Sequence, residues 1–191
     1  MCSTQYSLPF FMWIVPRKGG EMKNMSTRSQ ILFQAIYLKR DEESRERVSW
    51  KNEAQIYRHS DGYPEGVLGD LARFYEWNER NSEVSYTAAN FIYFMKKDME
   101  EISLKNPMSK EGRSWIQSGY GVEKADHHIH GDEEYIYRIT LYDQSHQDFN
   151  GWIIEVASVE SGDTTFDTAN YNATYRLTEG DGLIRSRILT A

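Results

Sequence analysis

The sequence predicts an α+β fold, a mainly antiparallel sheet with a pair of helices packed on one face. Three observations carry this. Strand patterns come first, two helix patterns follow, and strand patterns return, so helices are segregated rather than alternated with strands. Ser29–Lys39 alternates its side chains at the period of a strand, and Tyr135–Tyr142 carries strand composition. Between them, runs beginning near Val67 and Ser85 place apolar residues three and four apart, the spacing of a buried helix face.

The first strand, Ser29–Lys39, sets Ile31, Phe33, Ala35 and Tyr37 against Leu32, Gln34, Ile36 and Leu38, so both faces are largely apolar and an inner strand is expected. Arg40–Asn52 is a charged run, read as a solvated loop or short exposed helix. Glu53–His59 is the returning strand of a hairpin. Gly62, Pro64 and Gly66 then mark a turn that opens onto a helix with Val67, Leu68, Leu71, Phe74 and Tyr75 on one face. Asn78–Ser82 breaks it. A second helix is expected from Ser85, as N-cap, to Ser103, with a stripe of Ala88, Ile92, Met95, Met99 and Ile102 broadened by Phe91 and Phe94. Asn106, Pro107 and Gly112 close the helical part. Tyr135–Tyr142 and Trp152–Val159 are strands joined at hairpin distance, and Tyr171–Leu177 and Leu183–Leu189 are weaker strand candidates after a Gly/Asp/Thr-rich connection.

At 191 residues the chain has the length of one domain, and 39% hydrophobic residues suffice for a core. Net charge is −7, from 29 acidic and 22 basic residues, which argues against a nucleic-acid partner. Cys2 is the only cysteine, so no intramolecular disulfide forms and a cytoplasmic location is expected. No apolar run reaches the roughly 18 residues of a membrane span, so no membrane partner is expected. Leu8–Val15 resembles the apolar part of a signal peptide, but its basic residues, Arg17 and Lys18, follow it instead of preceding it. Lys18–Glu21 back-translates to a purine-rich string of ribosome-binding type, followed by Met22 and Met25. Residues 1–21 are therefore read as a non-native or disordered leader, and residues 22–191 as a single α+β domain.

Chemistry-bearing residues concentrate at two places. His59 and Asp61 end one strand, and His130 and Asp132 precede another. On an extended backbone each pair projects to one face, and if the two strands are neighbours the four groups converge as ligands for a divalent metal. Turn chemistry explains the same Asp-Gly and Gly-Asp pairs without any metal. His127, His128 and His130 make the second place denser, a compositional signal only. Gly62, Gly66 and Gly69 lead into a helix N-terminus, but the spacing is not that of a phosphate-binding P-loop and no lysine follows. No Ser/His/Asp or Cys/His arrangement suggests a covalent nucleophile.

Ser26–Ile31, Ile56–Leu68 and Ala88–Met95 together resemble a family of small proteins of bacteriophages and prophages. Its members open on Met, a small residue and Thr-Arg-Ser, and carry an aromatic-His-x-Asp-Gly-Tyr-Pro turn after a strand. Gly119–Val122 and His130–Tyr135 are similar to the family's C-terminal motif, in which an apolar residue is more usual where Glu133 stands. The resemblance covers about Met25–Tyr142 and implies a phage or mobile-element setting but no reaction.

Two functions are expected from these residues. The first is a binding module for a small polar or anionic ligand, a nucleotide included, lined by Thr27, Arg28, Ser29, His59, Asp61, Tyr63, His130 and Asp132. Arg28 would pair with an anionic group and Tyr63 would stack. The alternative is a metal-dependent hydrolase acting on a phosphoester. There His59, Asp61, His130 and Asp132 would hold a divalent metal and Glu134 would be the general base.

Overall fold

The computed structural model describes residues 27–40, 47–105, 119–142, 149–160, 165–179 and 182–186. Residues 1–21, expected to be a leader, the segment expected to close the helical part at Asn106, Pro107 and Gly112, and the end of the last expected strand lie outside the described residues. So does the Ile102 side chain.

Strands β1 (Ser29–Arg40) and β2 (Arg47–Arg58) form a hairpin, followed by α1 (Pro64–Trp77) and α2 (Val84–Lys105). Then come β3 (Tyr120–Glu123), β4 (Tyr135–Tyr142), β5 (Gly151–Ser158), β6 (Ala173–Thr178) and β7 (Gly182–Ser186). They make one seven-stranded sheet in the order β3-β2-β1-β4-β5-β6-β7. Every pairing is antiparallel except β1 with β4, in which Ser29 faces Tyr135 and Gln34 faces Thr140. The fold is α+β, with both helices against one face.

That face carries the larger core. Ile31, Phe33, Ile56, Tyr137, Ile139, Trp152 and Ile154 from the strands meet Leu71, Phe74 and Phe91 from the helices. Phe91 packs edge-on against Phe33 at 5.6 Å and Phe74 at 5.2 Å, and Trp152 against Tyr75 at 5.0 Å. The turn between the helices is tied down by amides: Asn90 donates to Asn78, Asn78 to Asn81, and the Trp152 indole to the Asn81 carbonyl at 2.7 Å. Burying the indole therefore leaves no unpaired donor.

Three expectations change. The charged run Arg40–Asn52 contributes its last six residues to β2, because Arg47 to Asn52 pair with β1 in register up to Arg40↔Arg47. Ladder hydrogen bonds outweigh local composition there. Ser85 is not a cap: α2 starts at Val84, fully buried, and the Glu83 carbonyl accepts from the Thr87 amide at 2.8 Å. Burial of Val84 draws the helix start one residue back. β3 was not expected at all; with Gly121 at its centre it is a weak strand that forms because β2 offers it an open edge.

The parallel β1–β4 pair decides the path of the chain. β3 runs in the direction of β1, since it is antiparallel to β2, and β4 runs the same way. The link from Lys124 to Glu134 must therefore travel back along the sheet, across β2 and β1, to begin β4 beside Ser29. It does so on the face opposite α1 and α2. Ile129 is pinned there with Leu32, Ile136, Ala157 and Phe166 in a smaller core. The Gln55 amide donates to the His128 carbonyl at 2.9 Å.

Candidate functional site

On the face opposite α1 and α2 the strands present polar side chains: Gln30 and Gln34 from β1, Glu53, Gln55 and Tyr57 from β2, Glu123 from β3. The returning link lays His127, His130, Asp132 and Glu133 over them. Tyr57 stands at the centre. His130 stacks on its ring at 5.9 Å and 27°, and the His59 ring lies tilted at 6.2 Å. Its hydroxyl is 3.5 Å from Asp132 Oδ2, which also accepts from Arg28 at 2.6 Å. Burial and the Asp132 charge raise the pKa of the Tyr57 phenol, so it remains protonated and acts as a donor.

The imidazole of His130 has a carboxylate on each side. Nε2 is 3.3 Å from Glu123 Oε1, and Nδ1 is 3.6 Å from Glu133 Oε1. Glu123 is itself fixed, its Oε2 accepting from Gln30 at 2.6 Å and Gln55 at 3.3 Å. The Glu133 side chain is fully buried; its Oε2 accepts from the Gly131 amide at 3.0 Å and its Oε1 takes no hydrogen bond among the described residues. Burial raises its pKa, and the neighbouring Asp132 charge pushes the same way. Ligand atoms of His130, Asp132 and Glu133 all lie within 4.8 Å of one another.

A second histidine bridges the link to its surroundings. His127, at φ 62°, meets Glu53 through Nε2 at 3.0 Å and Asp167 through Nδ1 at 2.9 Å. Burial works to lower its pKa, but hydrogen bonds to the two carboxylates prevail and raise it.

The residues singled out in the sequence divide between the two sides of the sheet's end. Arg28, His59, His130 and Asp132 gather around Tyr57. Thr27 and Ser29 are buried, 1% and 0% exposed, under the turn after β2: the Gly62 amide donates to the Thr27 carbonyl at 2.9 Å. Asp61 is exposed at φ 54°, which breaks the extended alternation that would have put it on the face of His59. β2 and β4 are also not neighbours, since β1 lies between them. His59 and Asp61 accordingly stand outside the group formed by His130, Asp132 and Glu133. Tyr63 is 46% exposed, its ring 6.0 Å from that of Tyr135. Glu134 is exposed, and its backbone ties β1 to β5, donating to the Arg28 carbonyl and accepting from the Val159 amide, both at 3.0 Å.

At the start of α1, the Tyr63 carbonyl accepts from the Gly66 and Val67 amides at 3.1 and 3.0 Å. Behind the turn, Arg58 is buried, with NH1 on Asp70 of α1 at 2.7 Å and Nε on the Ser60 carbonyl at 2.8 Å. The turn is thus built into the fold from both sides.

Tyr57, Glu123, Gln30 and Gln55 were not among the site residues expected from the sequence, and Glu133 entered only as a departure from the motif that His130–Tyr135 resembles. Tyr57 alone left a local signal, the same-face relation with His59 two residues on; the others depend on strand order. A cleft of about 470 Å³ lies elsewhere, between Tyr75, Asn78 and Asn81 on one side and Leu177–Glu179 on the other, and no predicted site residue lines it. Its walls lack the carboxylate–imidazole grouping, so the chemistry rather than the volume locates the candidate site. Compared with protein-family models, curated proteins and solved structures, the chain matches none.

Proposed function

We propose that this protein is a binding module for a small polar ligand held against Tyr57 on the face of the sheet opposite α1 and α2. The observation that carries the reading is the gathering of Arg28, His59, His130 and Asp132 around one half-buried phenol ring. A ring flanked by groups of both signs offers a stacking surface and polar anchors, which suits a planar polar solute such as a nucleobase. An anionic group on that solute would be received by Arg28 in exchange for Asp132. The phage-type motifs and the lone Cys2 favour the cytosol of a bacterium carrying a phage or prophage as the setting. The test is mass spectrometry of small molecules released on denaturing the full chain purified from such cells. A stoichiometric solute that Tyr57→Ala fails to retain supports the reading; its absence, or equal retention by the variant, ends it.

The second reading is a metal-dependent phosphoester hydrolase, favoured by the closeness of His130, Asp132 and Glu133 with Glu134 next in the chain. Glu134 would serve as general base. A screen of phosphodiesters and phosphomonoesters with added Mn²⁺ tests it, and a rate no higher than that of a Glu134→Gln variant sinks it.

A further inference from the structure

We propose that His130, Asp132 and Glu133 form a binding site for one divalent transition-metal ion, Mn²⁺ or Zn²⁺, with Glu123 orienting the histidine from behind. The inference shares its location with the binding site proposed above, but it rests on different observations and needs no organic ligand.

The first observation is the pair of carboxylates on one imidazole. Glu123 Oε1 faces Nε2 at 3.3 Å, and two amides on Glu123 Oε2 hold the carboxylate in that position, which favours the proton on Nε2. With the proton on Nε2, the lone pair is on Nδ1, which faces Glu133 Oε1 at 3.6 Å. A lone pair and a carboxylate oxygen so placed need a positive charge between them, either a proton or a metal ion, and a metal ion would be held by both atoms at once. A carboxylate behind a histidine is also the arrangement that fixes the tautomer and ring plane of a metal ligand, and here Tyr57 stacking reinforces the ring plane.

The second observation is independent of the first. The Glu133 side chain is fully buried and Oε1 takes no hydrogen bond among the described residues. A buried carboxylate oxygen without a partner is costly, and coordination to a cation is one of the few ways to offset it. The ligand atoms lie within 4.8 Å of one another, a looser spacing than the roughly 3–4 Å expected when N and O ligands stand about 2.0–2.2 Å from one ion, so the group must draw in to hold a metal. Rotation of the exposed Asp132 side chain draws its Oδ1 inward while His130 keeps its ring plane, and the exposure of both residues, 47% and 46%, gives the ion a path in and water to complete its shell. One imidazole with two carboxylates suits Mn²⁺ or Zn²⁺ better than a cation that prefers oxygen alone.

Arg28 occupies Asp132 Oδ2, leaving Oδ1 for the ion. An anionic group bound to that ion would meet the guanidinium, which links the metal to the ligand site without either requiring the other.

The experiment is calorimetric titration of the EDTA-treated full chain with Mn²⁺ alone and then Zn²⁺, with melting temperature read in parallel. The expected result is one saturable site whose Kd rises at least tenfold in both Glu133→Gln and His130→Ala. Asp126→Asn, an exposed acid on the same link, should leave it unchanged. The metal should raise the melting temperature of the wild type but not of Glu133→Gln, a variant that keeps the shape and the Gly131 hydrogen bond. No saturable binding, or binding indifferent to Glu133→Gln, overturns the proposal. Because the probe is the ion alone, metal binding that survives Tyr57→Ala while the organic ligand is lost separates the two sites. Ligand binding without metal binding refutes the metal site alone.

Discussion

Gly62 lies directly on the backbone of Arg28. A Cβ at position 62 would fall 2.8 Å from the Arg28 carbonyl carbon and 2.9 Å from its oxygen and from Ser29 Cβ. The Thr-Arg-Ser start and the His-x-Asp-Gly-Tyr-Pro turn are thus two sides of one contact, sealed by the hydrogen bond from Gly62 to Thr27. Backbone cannot move aside as a flexible side chain can. Gly62→Ala should cost about 1–3 kcal/mol in urea unfolding and shift the Arg28–Asp132 pair with it. A loss below about 0.5 kcal/mol, the range of ordinary surface changes, would mean the contact is looser than it stands here.

Arg58 and Asp70 should be among the most sensitive positions for stability. Their side chains are 6% and 14% exposed, and the pair joins the end of β2 to α1. Removing one partner strands the other charge, so Asp70→Ala should lose about 3–5 kcal/mol. An apolar pair, Arg58→Met with Asp70→Leu, should recover much of that in the same denaturation assay. If the double variant is as unstable as the single, the pair supplies more than compensation of its own burial.

His127 ties the link after β3 to β2 and to the segment at Asp167. Its folded-state pKa is raised above the ordinary histidine value, the two carboxylate bonds outweighing the opposing effect of burial. The charged form is therefore favoured by folding. Its stabilising effect is complete below the unfolded-state value, about 6.5, and fades as pH rises through the folded value. Unfolding free energies across that window should fall for the wild type and stay flatter for His127→Gln. Parallel curves would show that the imidazolium contributes nothing to holding the link.

Glu133 has the opposite chemistry and the same sign. Burial raises its folded pKa above the usual glutamate range, so folding favours the neutral acid. Stability is fully present below the unfolded value and declines as pH climbs through the folded one. In metal-free protein Glu133→Gln should match the wild type in acid and exceed it at neutral pH, seen as a higher midpoint of thermal unfolding. A variant less stable at neutral pH would mean the carboxylate is already compensated without a metal.

Much of the secondary structure was legible in the chain. The strand composition of Tyr135–Tyr142 places β4 to the residue, and Pro64 with the Val67–Tyr75 stripe places α1, because residue propensity, side-chain period and turn chemistry are local properties. Local pattern failed where partners decide: the charged residues from Arg47 to Asn52 are strand because β1 is there to pair with them, and Tyr120–Glu123 is strand because β2 has a free edge.

The candidate site divides the same way. His130 and Asp132 announce themselves by residue type and spacing, and Arg28 by its motif. Their companions do not: Glu123 reaches His130 from the sheet edge, and Tyr57 reaches it from β2. Residue order alone was enough for the α+β class, the succession of most elements, and the residue types able to bind or ligate. That β1 and β4 run parallel, which sends Lys124–Glu134 back across the polar face and buries Glu133 against His130, emerged from the folded chain. Side-chain period is written over a few neighbouring residues, whereas strand partners are chosen by hydrogen-bonding edges and apolar faces far apart along the chain.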